Sequence, residues 1–205
     1  ERAAFVTLDL ITVTRGVTDQ ARDAIEKTTG IRRDHVMISA THAHTGPVLA
    51  QSDEPGADPS APQRLILDYT QALPAKIAES VRLAHAKLQP VRPQAARTRC
   101  EDLTFNRRYF MRDGTVGWNP GKRNPNVVMP AGPSDPEVSL LYLEPVDATG
   151  PAQSLASYVN FTMHPDTCGG SKISADWPGA LGRVLAGYHG TDHLTLVANG
   201  TCGNL

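Results

Sequence analysis

Cysteine is scarce: three in 205 residues. Cys100, Cys168 and Cys202 lie far apart and form no Cys-x-x-Cys pair, which excludes a cysteine-built structural zinc site. The odd count allows at most one internal disulfide. A Cys168 to Cys202 bond, a nucleophilic thiol and plain buried thiols all stay open, the last being the usual behaviour of free cysteine. Aromatic residues are also few, at 5%, and no block of like charge accompanies them, so the basic, aromatic-studded surface of a nucleic-acid binder is excluded. No apolar run approaches the roughly 18 residues of a membrane-spanning helix, which leaves only peripheral contact with a membrane. What is present is a balanced, foldable composition: 40% apolar residues and a net charge of -1, in a chain long enough to bury a sizeable core. No repeat, low-complexity tract or linker divides it.

Short strand patterns alternate with helical ones, which predicts an α/β fold: a layered mixed β-sheet flanked by helices. Residues 3–11 read as a buried strand. Thr18 is placed to cap a helix over 18–29, with Ala21, Ala24 and Ile25 as its apolar stripe and Gly30 as its stop. Val36–Ala40 has the length and apolar continuity of an interior strand. Residues 51–62 are rich in Asp, Pro, Gly and Ser and form a loop. Helical spacing over 61–87 predicts a long helix, kinked or split at Pro74. Residues 91–103 form an exposed or edge strand, because Arg97, Arg99 and Glu101 alternate with smaller residues. A hairpin over 109–118 turns on Asp113-Gly114. Residues 119–136, full of proline and glycine, are a long loop without regular structure. Strands at 138–143 and 155–163 are joined by a turn at 147–151. Asp176 caps a helix over 177–188 with Pro178 in its first turn, and a last strand covers 194–198.

Two of these strands end in histidine. Thr41-His42-Ala43-His44-Thr45-Gly46-Pro47 follows Val36–Ala40 directly, and in extended backbone residues two apart share a side. His42 and His44 then face one ion, or one ion and its substrate. Neutral imidazole is the commonest side-chain ligand for catalytic zinc. His164-Pro165 closes the strand over 155–163, and open α/β sheets bind ligands at the C-terminal ends of their strands, where the two motifs can converge. Taken singly, His42 and His44 also suit a surface loop, and His164 suits a core histidine bonded to a backbone carbonyl.

Five motifs occur in a fixed order: Thr41-His42-Ala43-His44-Thr45-Gly46-Pro47, Phe105-Asn106-Arg107-Arg108, Asn160-Phe161-Thr162-Met163-His164-Pro165, Ser174-Ala175-Asp176-Trp177-Pro178-Gly179 and Asn199-Gly200-Thr201-Cys202-Gly203-Asn204-Leu205. In this order and almost end to end, the chain resembles the neutral/alkaline non-lysosomal ceramidases. The resemblance implies a zinc-dependent amidohydrolase acting on an N-acyl, ceramide-like substrate, of secreted or periplasmic habit. It assigns zinc (Zn2+) to His42 and His164, with a Glu and a Tyr from beyond Leu205 completing the shell and a catalytic serine following just after that point. It makes His44 the histidine that faces substrate, and Arg107 the arginine that contacts an oxyanion or phosphate. Residues 1–205 are then expected to be a partial catalytic domain truncated at both ends, since residue 1 leads at once into a strand without an initiator Met. The turn at 199–205 offers backbone N–H groups to an anion, because Gly200 and Gly203 allow close approach. Each assignment has a plainer alternative. Arg107 and Arg108 also read as a solvated pair, Asp176 as a helix cap alone, and the whole as a non-catalytic domain that keeps a ceramidase-like fold and binds a lipid, glycan or partner protein.

Overall fold

The structure is a computed structural model and describes residues 1–50, 60–148 and 154–205. The loop expected over 51–62 lies outside the described residues up to position 59, as does the end of the turn expected at 147–151.

The chain opens with a parallel crossover. β1 (Ala4–Leu8) and β2 (Val36–Ala40) run in parallel, Ala4 opposite Val36 and Leu8 opposite Ala40. Parallel neighbours need a long connection, and α1 (Arg15–Thr29) supplies it. The helix starts before the expected 18–29. Its N-cap is Thr14, whose hydroxyl accepts the Val17 amide at 3.4 Å. Thr18 cannot serve as the cap, because it shares the core-facing side with Ala21 and Ile25 and its buried hydroxyl donates to the Arg15 carbonyl. β2 is also less enclosed than expected. Among the described residues it pairs with β1 alone, burying Val36 and Ile38 and exposing Met37.

The second helix, α2 (Ala61–Ala86), is entered at Ser60, whose amide donates to Gln63 Oε1 at 2.7 Å. It runs through Pro74 without splitting. Proline removes one helix donor there, but Leu73, Ile77, Ala78 and Val81 on the same stretch pack into the main core with Val6, Val17, Ala21, Ile25 and Ile38. That continuous apolar contact outweighs one lost bond.

The rest of the chain contributes β3 (Val91–Arg99), β4 (Arg108–Met111), β5 (Val116–Trp118), β6 (Val127–Pro130), β7 (Glu137–Pro145), β8 (Ala156–Phe161), α3 (Asp176–His189) and β9 (Leu194–Asn199). β3, β7, β8 and β9 form a mixed sheet in that order. Its one parallel pair is β8 with β9, joined through α3. β3 is the exposed edge, as expected, but ends at Arg99 because its partner β7 begins opposite it at Glu137. The hairpin turns as expected, with Gly114 at φ 81 and Asp113 Oδ1 accepting the Thr115 amide at 3.0 Å. Residues 119–136 do contain regular structure: β6 pairs antiparallel with the free side of β4, Phe110 opposite Met129. That short strand is ordered by the edge it joins, so no pattern of its own reveals it.

The chain thus has a mixed α/β fold, with sheets flanked by helices. β9 neighbours both β1 and β2, and Phe5 on β1 meets Tyr158 on β8 at a ring-centroid distance of 5.4 Å. The C-terminal ends of β2, β8 and β9 therefore lie together.

Ile25 is 0% exposed. Ile25→Ala is expected to lower unfolding free energy by about 2–5 kcal/mol, seen as a reduced urea midpoint at unchanged slope. An unchanged midpoint would contradict this placement of the core.

Candidate metal centre

Both histidine motifs arrive at one place. The rings of His42, His44 and His164 form a triangle, with centroids 4.9 Å apart for His42 and His44 and 4.8 Å for each pair with His164. His44 Nε2 lies 3.3 Å from His42 Nε2 and 2.9 Å from His164 Nε2. The route to this convergence differs from the expected alternation along an extended segment. His42 has φ 69, in the left-handed region, and His164 sits in the loop beyond the end of β8 at Phe161. Such backbone persists only where the surroundings hold it. Here the amide of His42 donates to the Leu10 carbonyl at 3.0 Å, and the Thr41 hydroxyl to Asp9 Oδ1 at 3.2 Å. A Cβ at Gly46 would collide with the Asp9 carbonyl oxygen, so the chain can turn back past His44 only on glycine.

The tautomers follow from the backbone. His42 Nδ1 is 2.8 Å from the Ile11 carbonyl oxygen, and His164 Nδ1 is 3.1 Å from that of Cys202. A carbonyl has no proton to give, so each ring donates through Nδ1 and keeps a bare lone pair on Nε2. His44 can donate one Nε2 proton to one of them at most. At least one lone pair then faces nitrogens without a donor, an arrangement that a cation satisfies. Nδ1–H bonding to a carbonyl is also the contact that orients metal-bound histidine. Burial pushes the His164 pKa below the usual imidazole value; the Cys202 hydrogen bond opposes this, and the positive charge of Arg107 assists it. The residues present therefore fit a metal ion.

Arg107 reaches the same spot from the start of the three-stranded sheet. Its guanidinium NH2 lies 2.9 Å from the Gly203 carbonyl and 3.1 Å from His164 Nδ1. Since Nδ1 carries a proton, the carbonyl is the acceptor. The guanidinium also sits 4.6 Å over the Trp118 ring. Among the described residues Arg107 Nε is buried without a hydrogen-bond partner. Buried Asn106 aims this turn, donating to the Pro133 carbonyl at 3.0 Å and accepting the Arg108 amide at 3.0 Å.

Three contributors were not legible as such. Asn199 Nδ2 donates to the Thr41 carbonyl at 3.0 Å and to Cys202 Sγ at 3.2 Å, tying the end of β9 to the His42 turn. Cys202 Sγ and a ring nitrogen of each of His42 and His164 lie within 4.8 Å of one another. Burial, however, pushes the Cys202 thiol pKa up. Its carbonyl, moreover, bonds the Nδ1 side of His164, away from Nε2. The imidazoles are the better donor set. All three cysteines are free thiols, so no Cys168 to Cys202 bond forms. Asp176, expected to cap a helix over 177–188, is instead the first residue of α3, whose N-cap is Ala175 without a side-chain cap bond. Its carboxylate accepts the amide of its neighbour Trp177 at 2.6 Å, and its other contacts lie outside the helix.

No family model and no curated protein matches the sequence. Solved structures do match. One, described as "Ceramidase complexed with C2", is similar over 98% of this chain at 20% identity and a TM-score of 0.72. Another, a neutral ceramidase from Pseudomonas aeruginosa, is similar over 98% of this chain at 21% identity and a TM-score of 0.68. This chain spans 30% of each of those chains. The fold is therefore similar to that of part of the neutral ceramidases, as the five motifs led one to expect. Among the described residues no helix is long and apolar enough to cross a membrane.

Burial lowers the pKa of His164 and of His193 from the ordinary value of 6.5. The unfolded chain then binds protons more readily than the folded one, so stability is present above that value and is lost as pH falls through the lower folded values. The metal-free protein is expected to show a urea midpoint that declines as pH drops below 6.5. A midpoint that holds steady down to the carboxylate range would contradict neutral, buried imidazoles.

Proposed function

We propose that this chain supplies part of the active site of a zinc-dependent hydrolase that cleaves the amide bond of an N-acyl, ceramide-like substrate. The observation that carries this reading is the convergence of three imidazoles, two of them with Nδ1 committed to backbone carbonyls and Nε2 left bare. The likeness of fold to ceramidases supports the amide bond as the target.

His42 and His164 would hold the ion. A catalytic zinc takes about three protein ligands and leaves one position open, so further ligands are proposed to come from the protein beyond Leu205. Zinc bound there supplies Lewis acidity that polarises a carbonyl and makes hydroxide available near neutral pH. The remaining chemistry belongs to side chains. His44, with Nε2 beside both proposed ligands, accepts a proton on the reacting face and returns it to the departing amine. Arg107 offers the positive charge of its guanidinium to the oxygen that becomes negative as the carbonyl is attacked. Its stack on Trp118 and its bond to Gly203 hold the guanidinium before substrate arrives, so little reorganisation is needed. A secreted or periplasmic location accompanies this reading.

The full-length protein is expected to copurify with or take up zinc, and a His42→Ala, His164→Ala double variant to lose it, as read by metal analysis. Equal zinc in both would remove these residues from the site. With zinc retained, Arg107→Ala is expected to lower kcat on N-acyl sphingosine by about 10²–10³. Comparison with N-acyl amino acids and simple esters identifies the bond cleaved, and inertness toward all of them would favour a binding role.

A further inference from the structure

We infer that Asp176 is the positioning residue of the centre, an anionic clasp that holds the segment carrying His164 against the turn carrying His44. The inference rests on the proposed metal centre only for its functional consequence; the clasp itself is in the contacts.

Asp176 is 4% exposed, and its φ of 56 lies in the left-handed region that a residue with a side chain seldom adopts. Its carboxylate accepts four hydrogen bonds: from the Thr167 amide at 2.8 Å, the Thr167 hydroxyl at 2.7 Å, the Cys168 amide at 2.8 Å and the Trp177 amide at 2.6 Å. The last is a local bond to the next residue of α3. The other three gather the loop that follows His164. Burial tends to raise the pKa of this carboxyl, but the bonds from Thr167, Cys168 and Trp177 hold it below the usual carboxylate range.

Four further contacts carry the constraint to the rings. Trp177 Nε1 donates to the Met163 carbonyl at 3.1 Å, gripping the residue before His164. The Asp176 amide donates to Ser174 Oγ at 3.0 Å, while the Ser174 carbonyl accepts the Thr45 hydroxyl at 3.1 Å, next to His44. The His44 amide donates to the Pro165 carbonyl at 3.1 Å. Asp176 is thus the node at which the His44 turn, the His164 loop and the start of α3 are joined. Only an acceptor-only group serves all four donors. An amide of equal size would turn an NH2 toward a backbone N–H and break part of the set.

The test uses the full-length protein and compares wild type, Asp176→Asn, Thr167→Val and the remote core variant Ile25→Ala. Metal affinity is measured by competition with a chromophoric chelator, under conditions where circular dichroism shows each variant folded. Imidazole ¹H–¹⁵N signals of His44 and His164 are recorded without metal. Asp176→Asn is expected to weaken zinc binding about tenfold or more and to move both ring signals. Thr167→Val, losing one of the four donors, should act in the same direction with smaller size. Ile25→Ala should lower stability yet leave affinity and ring signals unchanged. Wild-type affinity and ring signals in folded Asp176→Asn would overturn the inference, as would an equal loss in Ile25→Ala. Should Asp176→Asn fail to fold, an unaltered Thr167→Val would overturn it instead. If the wild-type protein binds no metal while Asp176→Asn still moves the ring signals, the proposed function falls and the clasp stands.

Discussion

Two imidazole protons go to backbone carbonyls, one at Ile11 and one at Cys202, and the rest of the site depends on that arrangement. Once Nδ1 is committed, Nε2 has no proton and must meet something positive. The two carbonyls come from distant parts of the chain, one just after β1 and the other just after β9. Neither is a side chain, so a substitution at either position leaves the acceptor in place. The chemistry of the centre is in this sense wired into the path of the backbone, and the side chains around it keep that path.

Keeping the path is the task of a polar scaffold. Asn199 joins the end of β9 to the turn after β2. Asn106 aims the arginine turn, and Asp176 gathers the loop after β8. Glycines complete the fit where strands and turns come too close for a side chain: a Cβ at Gly200 would collide with Thr162, as one at Gly46 would with Asp9. The largest apolar cluster lies among β1, β2, α1 and α2, while Ala43, Phe161 and Cys202 are buried at the site itself. Polar contacts hold the left-handed backbone of His42 and Asp176 in place.

Much of the fold was legible in the sequence because its signals are local. Alternation and β-branched runs mark β2, β7, β8 and β9, an Asp-Gly pair marks the hairpin, and a period near 3.6 marks α1 and α2. The misreadings have a common cause. β6 is ordered by the edge of β4, β3 stops where β7 begins, and α2 passes through Pro74 because of its packing. In each case a partner distant in sequence overrode a local cue. Thr18 has capping chemistry, but it is buried on the core-facing side of α1, and the cap falls to Thr14.

The site divides along the same line. The sequence by itself determined the donor types: a histidine pair after one strand, a third histidine after another, an arginine beside an asparagine, and an acidic residue at the start of a helix. These are chemical identities and need no geometry to be read. Only the tertiary structure decided that the three rings converge, that two of them present Nε2, that Arg107 keeps an unpartnered donor and that Asp176 binds a loop as well as a helix end. Those facts follow from the relative placement of separate segments, with His44 and His164 separated by 120 positions. Such placement is set by packing and by backbone hydrogen bonds across strands, and local spacing does not encode it.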